Sequence, residues 1–233
     1  KPYAEDEDEL IKVIVFIKQN IFPWIRLNRI IRDIPNLNII GGNENVNLRQ
    51  KILARKDVNC PCIRCREVKQ NLENIHKAEL FVREYNGIGS TEYFISFESP
   101  DQSILYGFVR LRINHTNDHL IYKELEDCSF IRELHVYGTV VRHDSKKKAV
   151  QYLGFGKRLI EKAEMISIDN NIHNVAIIAG VGVREYYEPL GYKLVHNYMI
   201  KKVVTYPKMN VFEITILVTI VYVICSILYD CLF

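Results

Sequence analysis

The sequence predicts a mixed α/β sheet with flanking helices. From residue 79 onward, short runs alternate apolar and polar residues as half-buried strands do, and residues 154–169 carry helical spacing between two such runs. The chain has 233 residues, 48% hydrophobic and 25% charged, which excludes a disordered, collagen-like or low-complexity protein. The net charge of +3 permits a nucleic-acid or acyl-phosphate ligand without requiring one.

The first 50 residues form a segment too short for an independent domain. A helix is predicted over residues 5–20, because Leu10, Val13, Ile14 and Ile17 follow helical spacing behind an acidic first turn. The apolar face of this helix needs a partner from elsewhere. Since residue 1 is Lys and not Met, we expect the chain to be part of a longer polypeptide.

The strands and helices of the main domain follow in order. A turn at residues 100–103 separates two alternating runs and predicts a hairpin. The helices are expected at residues 154–169, with Phe155, Leu159, Ala163 and Ile166 on one face, and at residues 184–189. The predicted strands are residues 79–84, 92–99, 104–113, 128–138, 174–180 and 192–204.

The C-terminal tail is apolar over residues 211–229, apart from Glu213 and a few hydroxyls. At 1.5 Å per residue a helix of this length reaches roughly 28 Å, enough to cross a bilayer. Lys201, Lys202 and Lys208 precede it and would hold the main domain on the cytosolic side. We therefore predict a tail anchor over residues 209–229, in the mitochondrial outer membrane or the endoplasmic reticulum. The alternative is a last buried strand or helix of the core.

Three of the six cysteines, Cys60, Cys62 and Cys65, fall within six positions. Such close neighbours cannot easily bridge each other, so the cluster indicates reduced thiols in a reducing compartment. The C-x-C-x₂-C spacing suits one structural Zn²⁺, and reduced thiols without a metal are the alternative. The fourth ligand stays open, with candidates at His76, Cys128 and His135.

Residues 151–156 carry the pattern Gln-x-x-Gly-x-Gly between a predicted strand and a predicted helix. Glycine lets the backbone approach a ligand closely, and the N–H groups that begin a helix attract an anion such as a pyrophosphate. A plain strand-to-helix turn is the alternative. The predicted cofactor-binding residues are Gln151, Leu153, Gly154, Phe155, Gly156 and Lys157.

This loop resembles the acetyl-CoA pyrophosphate loop of the GNAT acetyltransferase superfamily. Six ordered motifs together resemble, more narrowly, the catalytic subunit family of the Elongator complex: RDIP (32–35), NLRQ (47–50), CIRCREV (62–68), IRELHVYG (131–138), GFG (154–156) and GVGVREYYEPLGY (180–192). The resemblance implies the end of a radical-SAM domain at residues 1–50, a Cys-rich zinc linker at 51–78 and a GNAT domain at 79–204.

The resemblance implies an acyltransferase that modifies wobble uridines of tRNA, with tRNA-stimulated hydrolysis of acetyl-CoA. The implied cofactors are acetyl-CoA and structural zinc. S-adenosylmethionine and a 4Fe–4S cluster are expected only in a missing N-terminal domain, because CxxxCxxC does not occur here. The expected partners are tRNA, other Elongator subunits, a membrane and a second copy of the chain. The alternatives are a protein-lysine acetyltransferase and a membrane-tethered scaffold that only binds acetyl-CoA.

Cleavage of acetyl-CoA releases a thiolate, and a tyrosine near the sulfur can protonate it. Tyr186 and Tyr187 match the paired tyrosines that the resemblance implies in this role, although one of them can be a packing residue. Glu133 and His135 lie two apart and so on one face of a strand, where either can be a base or merely a core or surface pair. The candidate phosphate contacts are Arg26, Arg29, Arg32, Arg64, Arg66 and Lys146–Lys148.

Overall fold

The computed structural model describes residues 6–28, 45, 47–55, 57–69, 74–118, 120–137, 154–204 and 219. The chain divides into two compact units, residues 1–202 and 203–233. Every helix and strand given below belongs to the first unit. The described residues include no helix that is both long and apolar enough to cross a membrane. The predicted anchor lies outside the described residues, apart from Thr219, and stays a prediction.

The described strands form one seven-stranded sheet in the order β1-β2-β3-β4-β5-β7-β6. Neighbouring strands are antiparallel except β4 and β5, which are parallel, so the predicted mixed α/β sheet is confirmed. The strands are β1 (Glu79–Gly87), β2 (Ser90–Glu98), β3 (Leu105–Asn114), β4 (Cys128–Val136), β5 (Asn174–Ile178), β6 (Lys193–Val195) and β7 (Tyr198–Lys202).

The prediction of one last strand over residues 192–204 is wrong. Val195 pairs with Tyr198, so β6 and β7 form a tight hairpin. His196, in the loop between them, has a left-handed backbone with φ 53°, a conformation that such two-residue turns demand. The turn residues are His196 and Asn197, a polar pair without the glycine that marks most two-residue hairpin turns in a sequence.

The described α-helices are α1 (Glu7–Asn20), α2 (Leu48–Leu53), α3 (Ile63–Arg66), α4 (Phe155–Asp169) and α5 (Arg184–Tyr187). Helix α1 begins where its acidic first turn predicts, since the Asp6 carboxylate accepts a hydrogen bond from the Glu9 N–H at 3.1 Å. Part of its apolar face finds a partner within this chain, because Ile11 packs with Leu48 and Ile52 of α2.

Helix α4 covers one face of the sheet. Leu159 and Ala163 are fully buried, and the Phe155 ring stacks on Phe97 of β2 at 4.3 Å between centroids. Nearer the end of α4, the hydroxyls of Ser129 and Ser167 share a hydrogen bond of 2.7 Å. These contacts fix the first turn of α4 over the middle of the sheet.

Candidate functional site

The sheet opens between its two parallel strands. Pairing of β4 with β5 is limited to Cys128–Ile131 against Asn174–Ile177, although β4 continues to Val136. Arg132 is an extra residue in β4, because Arg110 pairs with Glu133 while Leu111 pairs with Ile131. A bulge of this kind bends its strand. The second half of β4 therefore has backbone groups on its β5 side that a ligand can bind.

The first turn of α4 carries the part of the glycine loop that the structure describes. Gly154 caps the helix with φ 67°, a conformation that side chains with a Cβ rarely adopt. The Phe155 side chain is buried in the core and Lys157 is exposed, so the backbone N–H groups of this turn are the groups available to an anion. Gln151 and Leu153 lie outside the described residues.

The hydroxyl of Tyr186 meets the start of α4. A Cβ built on Gly156 would lie 2.5 Å from the Tyr186 hydroxyl and 3.7 Å from a methyl of Val136. Tyr186 of α5, Gly156 of α4 and the end of β4 thus converge. Burial raises the pKa of Tyr186 above its usual value, which keeps the hydroxyl protonated and ready to donate at neutral pH.

Tyr187 has a different environment. Its side chain is buried, and its ring meets those of Tyr186 and Tyr192 edge to face at 5.1 and 6.1 Å. Burial is the main cause that raises the pKa of Tyr187 as well, and the electrostatic effect of the neighbouring Tyr186 raises it further. The Tyr192 hydroxyl in turn donates to Glu164 of α4 at 2.8 Å. These contacts favour a packing role for Tyr187 and leave Tyr186 as the more accessible donor.

Glu133 and His135 lie away from this convergence. His135 and Val136 are consecutive in β4 and point to opposite faces of the sheet, and Val136 is on the α4 side. On the far face Glu133 forms an ion pair with Arg110 at 3.0 Å. The His135 ring packs against Tyr137 at 4.3 Å. The structure therefore places both residues on the face of the sheet opposite to the Tyr186 contact.

Gly156 offers a direct test of the contact with Tyr186. We expect Gly156→Ala to displace the Tyr186 hydroxyl, because the new Cβ would overlap it at 2.5 Å. Gly180→Ala is the matched control, since nothing lies within 4 Å of a Cβ there. The catalytic role that the sequence resemblance implies for Tyr186 predicts that the first change lowers release of free thiol from acetyl-CoA at least tenfold and the second by less than about twofold. Equal rates in both variants would contradict the contact.

The three clustered cysteines converge on one point, as predicted. The sulfurs of Cys60, Cys62 and Cys65 lie within 4.8 Å of one another, because Cys62 caps α3 and the first turn of that helix returns Cys65 beside it. Hydrogen bonds from the Cys60 and Cys65 thiols lower the pKa of Cys62, and interaction with Cys62 raises that of Cys60. Three soft sulfur donors, one of them readily ionised, fit a Zn²⁺ ion.

None of the three predicted fourth ligands joins this cluster. Among the described residues, no further His, Cys, Asp or Glu shares the cluster. His76 is exposed on a short 3-10 helix. Cys128 packs with Leu125 and Phe130 in a separate core cluster, and His135 lies beside Tyr137. Sequence distance alone could not decide among them.

The candidate phosphate contacts differ in availability. Arg26 is 43% exposed and pairs with Glu67 at 3.5 Å. Arg66 is 6% exposed and forms an ion pair with buried Glu98 at 2.8 Å, so its prediction as a phosphate contact is wrong. Arg29, Arg32 and Lys146–Lys148 lie outside the described residues.

An aromatic stack on the surface escaped the sequence analysis. The rings of Phe22, Trp24 and Tyr85 are nearly parallel, with successive centroids 4.7 and 4.6 Å apart. Phe22, the outer ring, is 60% exposed. Arg110 donates to the Trp24 carbonyl at 2.7 Å. The Phe22-Pro23-Trp24 sequence was the available signal, but its contact with Tyr85 depends on the tertiary fold.

The chain is similar over most of its length to proteins of one kind. It is 37% identical over 215 residues to the tRNA uridine(34) acetyltransferase of Methanocaldococcus infernus, a match that covers 87% of this chain and 39% of that protein. It is 41% identical over 206 residues to Elongator complex protein 3 of Dictyostelium discoideum, covering 83% of this chain and 36% of that protein. No protein-family model matches the chain.

A solved structure of a protein of this kind has the same fold as this chain. The chain superposes on Methanocaldococcus infernus Elp3 with an N-terminal deletion (1–46), with a TM-score of 0.73 and 35% identity, over 84% of this chain and 49% of that one. The fold and the sequence thus define an acetyltransferase-like α/β domain. It is homologous to Elongator complex protein 3 and to archaeal tRNA uridine(34) acetyltransferases, and spans less than half of their length.

Proposed function

We propose that this chain uses acetyl-CoA to modify wobble uridines of tRNA, as part of a longer acyltransferase. One observation carries the proposal: the Tyr186 hydroxyl lies against Gly156, at the start of α4 and beside the end of β4. The names and identities of the relatives support the same activity. S-adenosylmethionine and a 4Fe–4S cluster would belong to the remainder of the longer protein.

We propose a role for each element of the site. The N–H groups of the first turn of α4 bind the pyrophosphate, since they have no partners within the helix. The backbone N–H and C=O groups of β4 beyond Ile131, which pair with no described strand on the β5 side, would hold the pantetheine arm. When the thioester breaks, Tyr186 donates its proton to the departing thiolate. Acetyl-CoA supplies the activated acetyl group.

The surface around the aromatic stack supports RNA as the partner. A nucleobase can continue the stack on the open side of Phe22, as aromatic residues do for single-stranded RNA. On the same sheet face, Arg112 and Arg132 both bind one oxygen of Glu92, at 3.1 and 3.3 Å. Two guanidinium groups on one carboxylate leave positive charge for a phosphate. Other Elongator subunits and a second copy of the chain are further proposed partners.

The fate of the acetyl group tests the proposal. Protein would be incubated with acetyl-CoA labelled in the acetyl group, together with tRNA, a lysine-rich peptide or neither. We expect label to leave acetyl-CoA faster with tRNA, as acetate or on the RNA, and the peptide to stay unlabelled. Label on the peptide with no response to tRNA would establish a protein-lysine acetyltransferase instead. Binding without release in any mixture would establish an acetyl-CoA-binding scaffold.

We also propose that Cys60, Cys62 and Cys65 hold one structural Zn²⁺. Metal analysis should find about one zinc per chain, and the double variant Cys62→Ser with Cys65→Ser should lose it and unfold at lower denaturant concentration, because zinc binding contributes to folding. Cys128→Ser is the control that keeps the cluster intact. The proposal would be contradicted if the wild-type protein contained no zinc and unfolded at the same denaturant concentration as the double variant.

The tail over residues 209–229 is proposed as a membrane anchor on the strength of its sequence alone. Removing the residues after Lys208 should move the protein from the membrane fraction to the supernatant without changing its affinity for acetyl-CoA. Continued membrane association of the truncated chain would contradict this.

A further inference from the structure

Lys18 of α1 is a buried lysine. Its side chain is 1% exposed, whereas lysine is almost never fully buried without a partner. The hydrophobic spacing of α1 explains how it comes to be inside, since Lys18 follows Ile11 and Ile14 on the same helical face. An ammonium group so placed requires a negative charge nearby, because an unpaired buried charge is very costly.

That negative charge does not come from a carboxylate in the described part of the chain. None of the ion pairs there includes Lys18. Its ammonium instead donates a hydrogen bond to the sulfur of Cys65 at 3.4 Å. Cys65 belongs to the cluster whose three sulfurs lie within 4.8 Å of one another.

The charges of the proposed metal centre account for this contact. Three thiolates around one divalent ion carry one excess negative charge, and no fourth protein ligand joins the cluster among the described residues. One ammonium neutralises that excess. We propose that Lys18 is a positioning residue of the metal centre, which donates to the Cys65 thiolate, balances the charge of the trithiolate site and ties α1 to the Cys-rich segment.

The inference rests on the zinc centre proposed above and extends it to α1. Hydrogen bonds to metal ligands orient them, and their loss typically weakens metal binding about 10- to 100-fold. Lys18 lies 47 positions from Cys65 in the sequence, so metal binding and docking of α1 would be coupled. Loss of zinc should therefore also expose the buried side chains of α1.

The test compares two lysines of the same helix. Lys18→Met removes the buried ammonium and keeps the length of the side chain. Lys12→Met is the matched control, because Lys12 is 68% exposed and pairs with Glu9 at 2.7 Å. Zinc affinity would be measured by competition with a chromogenic chelator, and the cobalt-substituted protein would report the sulfur-to-metal absorption band. We expect Lys18→Met to bind zinc about 10- to 100-fold more weakly and to shift the band, and Lys12→Met to match the wild type.

Two further variants keep the test decisive if Lys18→Met does not fold. Lys18→Arg retains charge and donor and should restore most of the affinity, whereas Lys18→Gln retains a donor without the charge and should not. Wild-type zinc affinity and an unshifted cobalt band in Lys18→Met or Lys18→Gln would overturn the role of Lys18 alone. A wild-type protein that binds no zinc would overturn the metal centre itself, and direct metal analysis separates these two results.

Discussion

Replacing Tyr186 with Phe should lower acetyl-CoA turnover by roughly 10²-fold or more and leave the affinity for acetyl-CoA nearly unchanged. The change removes only the hydroxyl, which lies over Gly156 where the start of α4 meets the end of β4. In the proposed mechanism this hydroxyl donates a proton when the thioester breaks and contributes little to binding. Steady-state rates of thiol release and a calorimetric titration give the two quantities separately.

Tyr187→Phe is the internal control for this prediction. Tyr187 is buried against Tyr186 and Tyr192, so loss of its hydroxyl should have a smaller effect on turnover. If Tyr186→Phe lowers both the affinity for acetyl-CoA and the rate, Tyr186 contributes to binding of acetyl-CoA and not to proton donation. Undiminished tRNA-stimulated turnover in the double Tyr→Phe variant would exclude both tyrosines as the proton donor.

A negative charge at the start of α4 should abolish binding of acetyl-CoA. Gly154→Glu places a carboxylate where the pyrophosphate is proposed to bind, and it imposes a Cβ on a backbone with φ 67°. Gly89→Glu is the matched control, because Gly89 has φ 64° in the turn between β1 and β2 and also has open space around it. It carries the same charge and a similar backbone cost, which is about 1–2 kcal/mol.

The two glutamate variants separate electrostatics from stability. We expect both to unfold at a lower denaturant concentration than the wild type, and only Gly154→Glu to lose the calorimetric signal for acetyl-CoA. Wild-type affinity in a folded Gly154→Glu protein would show that the pyrophosphate binds elsewhere. Equal loss of affinity in both variants would attribute the effect to stability.

Much of the fold could be predicted from the sequence because its signals are local. The acidic cap of α1, the apolar runs of β2 and β3 and the apolar face of α4 each lie within one short segment. The β6–β7 hairpin was missed because its two-residue turn contains no glycine, and His196 adopts the left-handed conformation in its place. The spacing of Cys60, Cys62 and Cys65 was equally local, and the structure brings them together.

The parts of the candidate site that depend on tertiary contacts could not be predicted. Nothing near Lys18 in the sequence indicates that its ammonium reaches Cys65. Arg66 looked like a phosphate contact until its ion pair with Glu98 was known. The family resemblance assigned roles to Tyr186 and to the glycine loop separately, and nothing in the sequence indicated the distance between them. The hydroxyl contact with Gly156 emerged only from the fold.

The most direct test of the central proposal is the rate of thiol release from acetyl-CoA by the wild-type protein, measured with and without tRNA at fixed ionic strength. Salt must be held constant because binding to phosphates depends strongly on it. The proposed function predicts a slow basal rate that rises at least tenfold with tRNA and not with a DNA duplex of equal phosphate concentration. An unchanged rate in the presence of tRNA, with acetyl-CoA bound, would contradict the proposal that this domain couples acetyl-CoA cleavage to tRNA.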